Sequence, residues 1–344
     1  MTLADYCPLE RVVWLKKASL LKFLIPLITI FLLAIGVHIH VIRVYNATGP
    51  LQNDTIFLVR NNMSLKEISK NLFNGGVIVN PYIFRYVTQF YFGSRGLKTG
   101  EYEIEKGSSM SQIAEKIMYG KVLMHSISFP EGFTVKQMAR RLKDNPLLVG
   151  ELPLELPLEG TLCPSTYNFP LGTHRSEILN QAMLKQKQVV DEVWEIRDVD
   201  HPIKSKEDLV ILASIVEKET SRADERAHVA SVFINRFSKS IRLQSDSTVI
   251  YGILEGDYDL TNRKISRSDF SIKTPYNSYL MNGLPPTAIS NPGRLSLEAV
   301  AKPLHTEDLY FVGDGKGGHF FSTNFKDHTI NVQKWRKMSL ESKP

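Results

Sequence analysis

Two glutamates stand where a carboxyl group could do acid–base work. In VILASIVEKETSRADER, residues 210–226, an apolar run ends in Glu217 and Glu219 before the chain turns polar. At about 100° per residue, a helix over this run places Leu212, Ile215 and Val216 on the same side as Glu219. Glu217 falls roughly 160° away, beside Val210, Ala213 and Ser214, so the pair cannot address one small group together. This argues against a glycosidase built on these two carboxylates alone. A carboxyl facing apolar surroundings favours its neutral form. To donate a proton near neutral pH it needs a pKa rise of about 2 units, or ~3 kcal/mol in favour of the protonated state. The competing expectation for Glu219 is an ion pair with Lys218, Arg222 or Arg226 at the helix end; Glu217 is expected to be structural on either view.

Sugar-binding chemistry is concentrated downstream. The segments RLQSDSTVIYG, TPYNSYLMNGLPPTAISNPG and LYFVGDGKGGHFFST read as loop-rich. Gln244, Asp246, Tyr251, Tyr276 and Asn277, with Thr248 and Tyr279, are suited to glycan binding. Amides and carboxylates meet hydroxyl and acetamido groups, and rings cover apolar sugar faces. GDGKGGH, residues 313–319, lacks the GxxxxGK[ST] spacing of a phosphate loop and reads as a glycine-rich hairpin. The nine histidines form no HExxH or CxxC partnership, so no metal and no other cofactor is expected. A triad of Ser247, His319 and Asp246 has no nucleophile-elbow pattern behind it. Cys163 is expected to be a small packed hydrophobe, and the expected topology separates it from Cys7 by a membrane.

The elements that must carry these residues can be read from periodicity and punctuation. Alternating stretches beginning at Ile56, Tyr102 and Ile127 each run through a turn into a helix opened by Ser64, Ser109 or Thr134. Glu67, Gln112 and Gln137 follow at the capping-box offset. Ile68 with Leu72, Ile113 with Ile117 and Met138 with Leu142 give each helix an apolar stripe. These strand–helix units suit either a spacer or a glycan-binding module of the LysM kind. A further helix is expected over residues 81–92, and another over Ser176–Ile196, with one after the glutamates over Asp224–Phe237. LPLELPLEG, residues 152–160, reads as extended linker and places the domain boundary at 150/151.

The segment Phe23–Ile42 holds no formally charged side chain. As a helix it would extend about 30 Å, enough to cross a bilayer. Small residues at a cleavage site are missing after it, which favours an uncleaved anchor over a signal peptide. Arg11, Lys16, Lys17 and Lys22 precede it, against Asp5 and Glu10, and only Arg43 follows closely, so the N-terminus is expected in the cytoplasm. The formal charge of +6 over 344 residues is dispersed, with no arginine-rich helix, and nucleic acid is not an expected partner.

LASIVEKET with SVFINRF, LQSDSTVIYG, TPYNSY, GLPPTAISNPG and YFVGDGKGGHFF closely resembles the endolytic murein transglycosylase family, also called MltG or YceG-like. The likeness runs over about residues 54–332. It implies an α+β protein with an N-terminal transmembrane helix, a small LysM-like β/α subdomain and a mixed α/β catalytic domain. In this sequence that organisation reads as a cytoplasmic tail over 1–22, a span over 23–42, a LysM-like subdomain over 50–150 and the catalytic domain over 151–335. The resemblance makes Glu219 the catalytic residue. It implies a lyase, anchored in the cytoplasmic (inner) membrane by one pass with its catalytic domain outside. Such an enzyme cuts nascent peptidoglycan strands between N-acetylmuramic acid and N-acetylglucosamine, leaving 1,6-anhydro ends; peptidoglycan synthases are the partners such an enzyme would meet. Competing readings are a muramidase pairing Glu219 with Asp246, and a non-catalytic glycan-binding anchor. The sequence departs from the family at LCPSTY, where LFPDTY is common, at Ser247, where proline is common, and at Thr287, where glycine is common. None of these departures is expected to touch the acid.

Overall fold

The computed structural model describes residues 9–93, 97–198, 200, 202–258 and 266–341. Residues 1–8, the start of the expected cytoplasmic tail and the site of Cys7, lie outside the described residues. The chain divides into two compact units, Met1–Met124 and His125–Pro344.

The first unit opens with α1, Leu9–Asn46. Its stretch Leu24–Asn46 has a mean hydropathy of 2.3 and is long and apolar enough to cross a membrane. The last turn of α1 does not trail into a linker: Val41, Ile42, Val44 and Tyr45 join the unit's core. There follow β1 (Thr55–Val59), α2 (Leu65–Asn74), α3 (Pro81–Phe92), β2 (Gly100–Ile104) and α4 (Met110–Tyr119). The strands pair antiparallel, Phe57 opposite Tyr102. Buried Val59, Tyr102 and Ile104 meet the expected helix stripes, Ile68 with Leu72 and Ile113 with Ile117. Asn80 opens α3 by accepting from the Tyr82 and Ile83 N–H groups, with Pro81 at the position where a missing N–H costs nothing.

The second unit runs β3 (Met124–Ser128), α5 (Val135–Asp144), β4 (Thr166–Pro170), α6 (Arg175–Glu195), α7 (Lys206–Glu219), α8 (Arg226–Ser238), α9 (Asp246–Leu254), α10 (Arg294–Ala301), β5 (Tyr310–Gly313), β6 (His319–Ser322) and α11 (Phe325–Glu341). All three capping boxes form, at Ser64, Ser109 and Thr134. The third strand–helix repeat nonetheless lies in the larger unit. Its strand pairs with β4, and Ile127, Phe129, Met138 and Leu142 share one core with Tyr167, Phe169 and Ile178. The expected boundary at 150/151 therefore falls inside a packed core, and the units divide at 124/125. Residues 152–160 are free of regular structure, as their Pro–Leu alternation requires, but they connect parts of one unit. Residues 246–254, expected to be loop-rich, form α9.

A separate core surrounds α7. Leu209, Leu212, Ile215 and Val216 pack with Val229 and Phe233 of α8 and Leu297 and Val300 of α10. The glycine-rich run 313–319 forms the expected hairpin turn between β5 and β6, which pair antiparallel. Cys163 is buried and unoxidised, a packed small side chain whose thiol burial pushes up in pKa.

Candidate active site

Helix α7 begins where Ser205 accepts from the Asp208 N–H at 3.0 Å, with Glu207 and Asp208 favourably placed in the first turn. It ends at Thr220, whose extended backbone (φ −142°) breaks the helical run one residue after Glu219. The buried stripe of Leu212, Ile215 and Val216 fixes the rotation of the helix, so the last residue on that face, Glu219, is carried out of the core to a cavity wall. That cavity measures about 420 Å³.

Glu219 makes no ion pair among the described residues. The three cations that could have claimed it are otherwise placed: Arg226 lies 3.5 Å from Glu217, Arg222 is paired with Asp224 and Glu225, and Lys218 stands over the Tyr258 ring. Its Oε1 accepts from the Ser245 hydroxyl at 2.5 Å, and the Ser247 hydroxyl lies 3.0 Å away. Ser245 is itself fixed, its N–H donating to Ser278 Oγ at 2.9 Å and its carbonyl accepting from Thr248 Oγ1 at 2.7 Å. Oε2 has no protein partner among the described residues. Burial raises the pKa of Glu219; the two hydroxyls pull it back, and the charge of Asp246 raises it again. The outcome is a carboxyl that holds its proton above the ordinary range.

Glu217 is structural. Its Oε2 accepts from the Gly293 N–H, at the start of α10, at 2.9 Å. The two glutamates thus serve opposite sides of the helix, as the wheel requires.

Gln244 and Asp246 line the cavity with Glu219. Gln244 adopts a left-handed backbone (φ 55°), and its side-chain oxygen accepts from Arg236 Nη1 at 3.2 Å. Asp246 Oδ1 accepts from Tyr279 Oη at 2.6 Å, and Tyr279 lines the cavity too. Tyr251, Tyr276 and Asn277, expected as substrate contacts, are not among the lining residues. The Tyr251 and Tyr276 rings pack edge to face at 4.7 Å, and Tyr276 Oη meets Thr287 Oγ1 at 2.9 Å. Asn277 is wholly buried, its amide donating to the Phe270 and Ile272 carbonyls at 3.0 and 2.8 Å. Tyr276 and Asn277 thus hydrogen-bond within the fold, and the Tyr251 hydroxyl does so with Glu159. Thr248 is likewise buried.

The departure at Ser247 does reach Glu219, contrary to the sequence expectation, since the first turn of α9 turns its hydroxyl towards that carboxyl. Ser165 and Thr287 make no such contact; Ser165 Oγ accepts from Lys185 Nζ. The Ser247–His319–Asp246 grouping gains no hydrogen bond between serine and imidazole. His319 Nδ1 instead lies 2.8 Å from Glu225 Oε2.

Several cavity residues escaped the sequence reading. Arg236, buried on α8, donates through Nε to the Leu309 carbonyl at 2.6 Å and through Nη1 to the Arg242 and Leu243 carbonyls at 3.0 and 2.9 Å. It clamps the loop that delivers Ser245. His319 is oriented by Glu225, which fits because a Cβ on Gly318 would stand 2.6 Å from Glu225 Oε1. Tyr310, Phe311 and Phe325 add rings to the cavity lining. A signal was present in the hydroxyl-rich QSDST, but nothing in it pointed at Glu219. Among the described residues no group of three or more His, Cys, Asp or Glu is arranged to hold a metal ion.

The chain is 28% identical over 320 residues to the endolytic murein transglycosylase of Bacillus subtilis (strain 168), covering 83% of this chain and 87% of that protein. It is 24% identical over 315 residues to the endolytic murein transglycosylase of Streptococcus pneumoniae serotype 2 (strain D39 / NCTC 7466), covering 78% of this chain and 56% of that protein. The crystal structure of a yceG-like protein from Listeria monocytogenes superposes with a TM-score of 0.52 at 29% identity, covering 81% of this chain and 99% of that one. The YceG-like family profile matches residues 57–334, and the chain belongs to that family.

Proposed function

We propose that this protein is an endolytic murein transglycosylase, a lyase that cuts peptidoglycan glycan strands between N-acetylmuramic acid and N-acetylglucosamine and leaves 1,6-anhydro ends. The observation that carries the reading is the state of Glu219. It is a carboxyl without a counter-ion among the described residues, at the end of a buried helix, held through Oε1 by hydroxyls on the wall of a polar-aromatic cavity. The names of its B. subtilis and S. pneumoniae relatives support the substrate class.

The reaction then follows from one proton. Glu219 gives its proton to the glycosidic oxygen as the bond to C1 of muramic acid opens towards an oxocarbenium-like state. The carboxylate left behind accepts the proton of the same sugar's O6 hydroxyl as O6 bonds to C1. No water is consumed, and the acid ends as it began. The nucleophile belongs to the substrate and needs only to be held close, so one carboxyl can serve both steps. The Ser245 hydroxyl stabilises the carboxylate between the steps, while burial and Asp246 restore its affinity for the proton.

The same reading makes α1 a single-pass anchor with its N-terminus in the cytoplasm and the second unit outside, near strands leaving membrane-bound peptidoglycan synthases. The first unit, with its capped strand–helix pairs, would be the LysM-like subdomain. One observation favours a second reading: Asp246 shares the cavity wall with Glu219, as a muramidase with two carboxylates would need. Digestion of polymeric, uncrosslinked glycan separates the two, since an anhydro product is lighter by one water than a hydrolytic one. The transglycosylase reading expects anhydro ends from the wild type and none from Glu219→Gln. Reducing ends would support the muramidase, and undiminished release by Glu219→Gln would overturn both.

A further inference from the structure

Helix α3 is apolar on two faces, and the fold uses only one. Phe84 and Val87 are buried in the core of the first unit together with Thr88, while Tyr82, Tyr86 and Phe90 stand at 69, 61 and 81% exposure on the other side. Their spacing of four residues makes them one stripe along the helix. Arg85 is its only charged residue. Exposed rings in a row call for a partner.

The position of the stripe names that partner. Counting about 20 residues of helix for the hydrocarbon core from Leu24 puts the end of the span near Arg43, within a turn of Tyr45. Tyr45 fixes α3 at that level: its hydroxyl lies 3.0 Å from Thr88 Oγ1 and its ring stacks 6.5 Å from Tyr91. Around this exit gather Phe90 against Tyr91 at 5.7 Å and Phe92 against Tyr119 at 5.7 Å, with Tyr91 and Tyr119 60 and 59% exposed. Amphipathic rings at a span's end match the aromatic belt of membrane proteins, and a helix with one basic and no acidic residue suits an anionic headgroup layer.

We propose that α3 lies in the headgroup region of the outer leaflet, its Tyr82–Tyr86–Phe90 face in lipid, so that the first unit rests on the membrane beside its own anchor. This rests on the reading of α1 as a membrane span. The anchor then holds the first unit at a fixed height, because the last turn of α1 belongs to its core.

The test uses the full chain in anionic lipid nanodiscs, on a Cys7→Ser, Cys163→Ala background. A nitroxide is placed in turn through Tyr86→Cys, Phe90→Cys, Leu32→Cys within the span, and Leu154→Cys on a fully exposed loop. Substitutions at such exposed sites leave the core untouched. Labels at 86 and 90 are expected to show a severalfold higher ratio of oxygen to water-soluble nickel accessibility than the label at 154, and a lower one than at 32. Labels at 86 and 90 that match 154, while 32 remains in lipid, would overturn the inference and spare the anchor. Labels shielded from both reagents would mean a protein surface, a second copy or another chain, and would overturn it as well. A label at 32 that reads as water-exposed would bring down the anchor and this inference together.

Discussion

Ser247→Ala removes one of two hydroxyls that reach the carboxyl of Glu219, and its effect can be worked through in sign and size. A hydroxyl within 3.0 Å of Oε1 stabilises the ionised form more than the neutral one. Hydrogen bonds to charged groups contribute about 1.5–3 kcal/mol, and losing one raises the pKa of the carboxyl. Ser245 keeps the shorter bond, at 2.5 Å, so the lower end applies, about 1.5 kcal/mol, and the direction is upward. In the proposed mechanism Glu219 acts in its protonated form, so kcat/KM is expected to fall as pH passes its pKa. The variant should therefore hold its activity to a higher pH than the wild type, with little change on the plateau below. Ser247→Pro installs the residue common in the resembling family and should shift the limb the same way. It stands in the first turn of α9, where proline is tolerated. The assay is release of anhydro-ended fragments from uncrosslinked glycan, followed across the neutral and alkaline range. An alkaline limb that stays put or moves down would refute the assignment of that limb to Glu219.

Other perturbations read the supporting structure. Arg236→Lys keeps the charge but cannot satisfy the Leu309, Arg242 and Leu243 carbonyls together, and should cost about 2–4 kcal/mol of stability, measured as a lower urea midpoint. Glu159 is pushed by burial up to about 7, while its Oε2 accepts from the Val135 N–H at 2.9 Å. A raised folded-state pKa means that its contribution is complete below the unfolded value of 4.5 and is lost as pH climbs through about 7. The loss amounts to about 3 kcal/mol at most, and Glu159→Gln should flatten this part of the stability-versus-pH curve measured by denaturant unfolding.

The parts of this molecule that sequence could disclose are those decided by near neighbours. A cap and its partner lie three residues apart, and each of Ser64, Ser109 and Thr134 closes its box as the spacing demands. The facing of Glu219 follows from Leu212, Ile215 and Val216 on one helix. What stayed hidden depends on chain that returns from far away. Ser245 meets Glu219 across 26 positions and Ser278 across 33, and Arg236 meets Leu309 across 73. Alternation marks β3 as a strand but does not name β4 as its partner, so the boundary expected at 150/151 landed within a core. Residue type alone does not place Tyr251, Tyr276 and Asn277, which are absent from the lining of the Glu219 cavity. An amide can bind a sugar or tie its own loop, and Asn277 spends both its donors on carbonyls five and seven positions away.

Asp246 is where the two enzymatic readings of the site part company. A hydrolase needs it as a base for water or as a nucleophile, and Asp246→Asn would then remove nearly all turnover. In the transglycosylase the substrate supplies the nucleophile, and the contribution of Asp246 is electrostatic: its charge raises the proton affinity of Glu219 and favours a cationic sugar. Tyr279 Oη can still donate to the amide oxygen of the asparagine, so the wall keeps its shape. The expected result is a loss within about tenfold, or ~1.4 kcal/mol, with an alkaline limb moved to lower pH because the negative charge that raises the pKa of Glu219 is gone. Every product should still carry an anhydro end. Complete inactivation in a folded variant would mean that Asp246 takes part in bond making, and that the single-carboxyl mechanism is wrong.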